Sequence, residues 1–260
     1  MKNFLKLLFI TIFLVSCGAN LFTTQQEVEM GSEFAKEIEK EYELLENPEW
    51  EEYINEIGNK IFAVCDRKEI NYYFNIVDDS TTINAFALLG GYTYFYSGLL
   101  LNAENEAEIA GVIAHEIGHI TAKHSVERLT AMLGYQAFIA LALGKNASDL
   151  ELVAANLFGS AGMLYYGKKS ELEADRRAVQ YMIAAGYDPN ALITFFEKLE
   201  SLQTHKPGRI EKLLSTHPQP SERIEKLKEE LIIINTDKKG VLNTEKYLQM
   251  KQILYKNQFY

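Results

Sequence analysis

The run Ala114-His115-Glu116-Ile117-Gly118-His119-Ile120-Thr121-Ala122-Lys123-His124 holds three of the chain's five histidines. His115 and His119 are four residues apart. On a helix that spacing puts both imidazoles on one face a single turn apart, so their ring nitrogens can meet at a common point, as two ligands of a tetrahedral zinc must. Glu116, between them, is the candidate general base. The chain must therefore build a helix here and bring the remaining ligand to it from elsewhere.

A catalytic zinc takes three protein ligands and keeps one position for water. An immediate extension of the motif would need Gly at 122 and His at 125, where the chain has Ala122 and Ser125, so the metzincin pattern is excluded. His124 lies five positions past His119, points away from the shared face of a continuous helix, and reads as a surface or hydrogen-bonded structural histidine. Downstream, Ser170-Glu171-Leu172-Glu173-Ala174-Asp175-Arg176-Arg177 offers carboxylates at helical spacing. Glu171 and Asp175 share a face. Glu171 is then the third ligand, and Asp175 accepts a hydrogen bond from the far nitrogen of a ligating histidine. Glu173 points elsewhere and reads as a solvated neighbour. Without the upstream motif, the same acids beside Arg176 and Arg177 would read as an ordinary solvated helix surface.

The rest of the chain sets limits on this reading. A length of 260 residues with 47% apolar residues and 24% charged ones is that of one large or two small globular domains, and a formal charge of -10 shows no nucleic-acid footprint. Lys2 and Lys6 precede a short apolar run, Leu7 to Val15, that meets Ser16, Cys17 and Gly18. Residues 1–16 therefore read as a secretory signal, too short to span a bilayer. Leu14-Val15-Ser16-Cys17 resembles a bacterial lipobox, which makes Cys17 the lipidated end of the mature chain and 17–24 its linker. The plain alternative is a secreted protein whose signal happens to end in Cys. With Cys17 lipidated, Cys65 has no partner in the chain and no internal disulfide is expected.

The hydrophobic pattern is mostly helical. Helices are expected over 23–46 and, opened by Asn47-Pro48, over 47–64. Strands are expected at 72–77 and, after the Gly90-Gly91 turn, at 92–96. Asn102 is expected to cap the motif helix, and further helices to cover 126–142, 150–166, 168–185, 189–200 and 221–232. Residues 236–260 read as a loose tail or a short helix. The apolar stretches Leu129 to Leu143 and Leu150 to Tyr166 are each shorter than a spanning helix. They read as buried hairpin helices or as helices that shelter the site or touch lipid.

Several motifs together carry a family resemblance: Asn84-Ala85-Phe86-Ala87 with Gly90-Gly91, Ser97-Gly98-Leu99-Leu100, the histidine motif, Glu171-Leu172-Glu173-Ala174-Asp175, and Thr216-His217-Pro218-x-Pro220-x-x-Arg223. Over about residues 25–232 the chain resembles the HtpX-like and CAAX-prenyl-endopeptidase-type zinc metalloproteases, specifically periplasmic lipoprotein members of the LoiP and BepA kind. The resemblance does not extend to the spanning helices of the HtpX type or to the helical repeat domain of the BepA type, so a partner-binding role built on such repeats is not expected. It implies a mostly helical α+β metalloprotease domain, residues 25–235, with a small sheet beside the active-site helix. It implies one zinc per chain, held by two histidines and a glutamate, and endopeptidase activity on protein or peptide substrates at or near membranes.

Glu116 fits the base that takes a proton from zinc-activated water. His217 and Arg223 are candidates for the oxyanion contact, and in resembling proteins this histidine can approach the zinc as a latch; the bland reading of His217 is a turn residue before Pro218. Asn84 and Ala85 match the family's substrate-backbone contacts. The strand carrying Tyr94 is either an exposed edge that pairs with substrate or half-buried core. Two functions follow. One is an endopeptidase, lipid-anchored at the periplasmic face of the bacterial outer membrane, that hydrolyses misfolded or misassembled envelope proteins. The other is an assembly factor or chaperone-like binder whose zinc site is latched and rarely active.

Overall fold

In the computed structural model, which describes residues 22–142, 166–217, 220–234 and 240–257, two helices come first, α1 (Thr24–Glu41) and α2 (Pro48–Phe62). Both starts follow local rules. Thr23 and Gln26 form a reciprocal capping box at α1, and Asn47 accepts the Trp50 N–H at α2, where Pro48 occupies the first turn and its missing donor is not needed. Three short strands follow, β1 (Tyr73–Val77), β2 (Ala85–Ala87) and β3 (Tyr92–Tyr96). Eight further helices complete the described chain: α3 (Ser97–Asn102), α4 (Glu106–Thr121), α5 (His124–Ala142), α6 (Lys168–Ala184), α7 (Asn190–His205), α8 (Glu211–Thr216), α9 (Pro220–Ile234) and α10 (Glu245–Asn257). The protein is thus mostly helical with one small mixed sheet.

The sheet order is β1-β3-β2, with β1 parallel and β2 antiparallel to β3. The aromatic strand is central, so of the two readings offered for it, exposed edge or core, the structure has core. Tyr94 is fully buried, its ring stacked on Phe86 at 5.0 Å, because an almost unbroken apolar run needs cover on both faces. The edges are β1, where Leu44 and Leu45 pair with Val77 and Ile76, and β2. Tyr96 donates to the Asn84 carbonyl at 3.0 Å and Leu88 to that of Tyr92 at 2.8 Å. By the alternation of an antiparallel ladder, the polar backbone groups of Ala85 and Ala87 therefore point away from β3.

The motif helix α4 lies at the centre. Every residue from Glu106 to Ile120 is buried, and the helix packs against α2, α6, α7 and β2. Its cap differs from expectation. Asn102 ends the short helix α3, where its amide donates to the Gly98 carbonyl, and Asn105 caps α4 by accepting the Glu108 N–H. Gly118 permits the closest approach, since a Cβ there would lie 2.9 Å from the Ala174 carbonyl of α6. That contact draws together the two helices that carry the candidate ligands.

The expected helix over 150–166 lies outside the described residues except for Tyr166, and of the apolar stretch from Leu129 the side chains beyond Leu133 also lie outside them. Leu129 packs with Leu89 and Val126. The segment 236–260, expected as a loose tail or a short helix, contains α10, whose Met250 carbonyl accepts the Trp50 indole N–H at 3.1 Å. Cys65 is a buried free thiol. No described helix is long and apolar enough to cross a membrane.

Candidate metal centre and active site

His115 and His119 project from α4 toward Glu171, in the first turn of α6. Their Nε2 atoms are 3.0 Å apart. Glu171 Oε1 lies 3.3 Å from His119 Nε2, and Oε2 lies 3.6 Å from His115 Nε2. Two ligands about 2.1 Å from one ion at a tetrahedral angle are about 3.4 Å apart, so these spacings are those of ligands to a single zinc-sized ion. His217, just past the end of α8, joins them, and ligand atoms from all four residues lie within 4.8 Å of one another. The His217 Nδ1 is 2.9 Å from Glu171 Oε1. Its Nε2, and Oε2 of the buried Glu116, have no hydrogen-bond partner, and buried polar atoms without partners are costly unless something else engages them. The donor set therefore fits a metal.

A second ring of side chains orients the first. Asp175 Oδ1 accepts from His115 Nδ1 at 2.9 Å. Arg223, from α9, forks onto Asp175 at 2.6 and 2.7 Å and reaches Glu171 Oε2 at 2.7 Å. Nε and Nη2 donate to Asp175 and Nη1 faces Glu171, so Arg223 holds the two carboxylates in place.

His124 is buried, with Nδ1 3.0 Å from His119 Nδ1. On a continuous helix it would point away, but Lys123 takes a left-handed conformation, φ 58, that ends α4 and turns His124 back toward His119. Glu173 is a partner as well as a solvated residue, 3.7 Å from His124 Nε2 and 3.0 Å from Arg177.

Tyr166, which ends one of the apolar stretches and was not singled out as a site residue, lies at the site. Its ring stacks on His119 at 3.8 Å, its hydroxyl sits 2.8 Å from Ser125 Oγ and 3.3 Å from the Ala87 carbonyl, and its N–H donates to Thr216 at 2.9 Å, next to His217. A tyrosine at the end of an apolar run carries no spacing signal that separates it from core, which is why the sequence did not mark it.

Charge follows geometry. Burial raises the Glu116 carboxyl above its ordinary value against the pull of His217 and His115. Burial works the same way on Glu171, but His217 and Arg223 outweigh it and hold that group well below. Burial would lower His217, yet Glu171 and Glu116 raise it. Asp175 is lowered, with Arg223 overcoming burial. The site thus pairs an acid biased toward carrying a proton with a candidate-ligand carboxylate biased toward losing it.

Asn84 and Ala85 are buried, and Ala85 lines a cavity with His115 and Glu116. Tyr94 is not beside that cavity. Cys17 lies outside the described residues, as do Pro218 and Gln219.

The family model of Peptidase family M48 matches residues 48–231, which includes every candidate ligand. The chain is 30% identical over 218 residues to the β-barrel assembly-enhancing protease of Escherichia coli (strain K12), covering 80% of this chain and 44% of that protein. It is 29% identical over 207 residues to the mitochondrial metalloendopeptidase OMA1 of Schizosaccharomyces pombe, covering 78% and 60%. To the metalloprotease LoiP of Escherichia coli (strain K12) it is 27% identical over 190 residues, covering 71% and 72%. The chain thus spans less than half the length of the assembly-enhancing protease. The histidine pair on α4, the glutamate on α6 and the matched span point the same way: this chain belongs to peptidase family M48.

Proposed function

We propose that the protein is a zinc metalloendopeptidase, lipid-anchored through Cys17 at the periplasmic face of the bacterial outer membrane, that hydrolyses peptide bonds in misfolded or misassembled envelope proteins. His115, His119 and Glu171 would hold the ion. Zinc bound there supplies an acidified water and a Lewis acid for the scissile carbonyl. The observation that carries the reading is Glu116, a buried carboxyl with Oε2 unengaged, on the same helix face as the ligands. Glu116 takes the proton of the attacking water and returns it to the leaving nitrogen, and burial of the carboxyl suits it to both halves of that exchange. Asp175 and Arg223 fix the ligand side chains so that the approach geometry is set before substrate arrives. Asn84 and Ala85, at the start of the edge strand, hold the substrate backbone extended, and His217 Nε2 is the candidate donor to the developing oxyanion. The signal and lipobox support the anchor, and the printed name of the β-barrel assembly-enhancing protease supports an envelope substrate.

The alternative is an assembly factor or chaperone-like binder whose zinc site is latched. It is favoured by the position of His217, at ligand distance from the other three residues. One assay separates the two. The zinc-loaded protein is expected to degrade casein, Glu116→Gln to lose at least about 100-fold of that rate with its zinc content retained, and His217→Ala to change it. A rise with His217→Ala means a latch and a fall means an oxyanion contact; equal cleavage by the Glu116→Gln protein ends the role of Glu116.

A further inference from the structure

We infer that Tyr166 is a positioning residue for substrate: its hydroxyl closes the edge of β2 at the Ala87 carbonyl, so that a substrate strand can donate to the Ala85 carbonyl of that edge and no further. The inference rests on the endopeptidase reading and deepens it, from a strand that holds substrate to the register in which it can do so. In an extended strand alternate residues turn their N–H and C=O to the same side. The groups that β2 turns away from β3 are those of Ala85 and Ala87, with those of Ile83 in line before them. Two of these groups are already engaged. The Ile83 N–H donates to the Arg209 carbonyl at 2.8 Å, and the Ala87 carbonyl accepts from the Tyr166 hydroxyl at 3.3 Å. The Ala85 N–H and C=O and the Ala87 N–H have no partner among the described residues, although both alanines are buried. Buried backbone groups are nearly always paired. Three adjacent unpaired ones, beginning at a residue that lines a cavity with His115 and Glu116, mark the place of an incoming backbone.

Both stops are held by more than one contact. Arg209 also donates from its side chain to the Thr81 and Ser80 carbonyls, at 3.0 and 3.1 Å, and Ile210 after it is fully buried. Its backbone therefore stands against the strand at Ile83, where a substrate would have to lie. Tyr166 is fixed at three points: its ring on His119, its hydroxyl beside Ser125 Oγ, and its N–H on the Thr216 carbonyl. The hydroxyl has one proton and gives it to Ala87, so Ser125 is the donor to the tyrosine oxygen. A carbonyl oxygen has a second lone pair, but a strand paired with β2 would lie about 4.8 Å from it, and the phenol stands in that space. The ring that covers His119 is thus the ring that ends the ladder, which sets the last paired residue of substrate at a fixed offset from the metal ligands. Substrate engages β2 through the three open groups around Ala85, which asks for a short extended segment and reads no side chain.

The test counts the open carbonyls of the edge. Alanine hexapeptides carry a hydroxamate at the carboxyl end in one series and at the amino end in the other, so that the chelating group sets the register on the zinc-loaded protein and binding is read without cleavage. Within each series one peptide N–H at a time is N-methylated, which removes one donor. In the series that runs along β2, one position of the wild type should lose about 2- to 10-fold in affinity, the contribution of one hydrogen bond, and the position two residues away should lose nothing. Tyr166→Leu removes the hydroxyl and the ring edge while leaving an apolar group over His119. In that protein a second sensitive position should appear two residues from the first, since alternate residues face the edge, a gain that loosened packing alone does not create. If Tyr166→Leu does not fold, the wild-type count is the test. A pair of sensitive positions two residues apart in the wild type, no sensitive position in either series, or a single one in folded Tyr166→Leu protein overturns the inference. One sensitive position in protein that does not cleave casein keeps the closed edge and removes the protease reading; casein cleavage with the pair in the wild type does the reverse.

Discussion

His124 shows how a residue outside the ligand set can govern it. Its Nδ1 is 3.0 Å from His119 Nδ1, and Glu173 stands behind it at 3.7 Å. A ligating imidazole presents one nitrogen to the metal, and the partner on its other nitrogen fixes both ring orientation and proton position. For His115 that partner is Asp175, at 2.9 Å. For His119 it is another imidazole, a weaker acceptor than a carboxylate but one that sets the same tautomer. Removing such a partner lowers metal affinity by about 10- to 100-fold. His124→Ala is therefore expected to weaken zinc binding by that factor in competition with a chelator, and His124→Asn, which keeps a polar group near His119 Nδ1, to recover part of it. Unchanged affinity in His124→Ala would mean that the contact is packing alone.

At the scale of elements, the site depends on how closely α4 and α6 approach. Gly118, between His115 and His119 on the motif helix, faces the α6 backbone, and a methyl group there would lie 2.9 Å from the Ala174 carbonyl. Neither helix backbone can give way cheaply, because α4 is buried along its whole length and Ala174 and Ala178 of α6 are fully buried. Overpacking of this kind costs about 1–3 kcal/mol. Gly118→Ala should lower the urea midpoint accordingly and also weaken zinc binding, since pushing α6 outward moves Glu171 from the two imidazoles. A variant that keeps wild-type zinc affinity would show that the approach is not what sets ligand geometry. The same scale explains what the sequence could and could not reveal. Spacing along one helix is a local property, so His115 and His119, or Glu171 and Asp175, could be read directly. The return of His124 depends on one left-handed residue, Lys123, a conformation a lysine rarely adopts, and no pattern announces it. Strand order is non-local as well. The run Tyr92–Tyr96 was legible as a strand, but its central place came from pairing with β1 on one side and β2 on the other, and three residues, Ala85–Ala87, are too few to carry a period-2 signal.

For the whole molecule, the residues that flank the family-matched span are built into it. At the N-terminal side, Glu27 of α1 meets Arg67 in a buried two-point ion pair at 2.8 Å, and Arg67 also donates to the Ile120 carbonyl near the end of α4 at 3.2 Å. The C-terminal side is tied more widely. Glu106, in the first turn of α4, accepts from Tyr53 at 2.7 Å, from Tyr187 at 3.0 Å and from Thr244, while its N–H donates to Asn243 at 3.0 Å. Tyr247 of α10 is buried and donates to the Ala103 carbonyl at 2.8 Å, just before α4 begins. A polar final segment gives little hydrophobic periodicity, which is why a loose tail and a short helix stayed open for it; Tyr247, Met250 and Leu254 are buried in the core, while Leu248 is exposed. Truncating a buried aromatic side chain to alanine costs about 3–5 kcal/mol through lost burial and the cavity left behind. Tyr247→Ala should therefore lower unfolding free energy in urea by that amount although the residue lies outside the matched span and far in sequence from every ligand. A loss below about 1 kcal/mol, within the range of ordinary surface substitutions, would show that α10 rests on the domain without supporting it. A loss of the expected size would instead make the start of α4, and through it the ligand helix, dependent on the last turns of the chain.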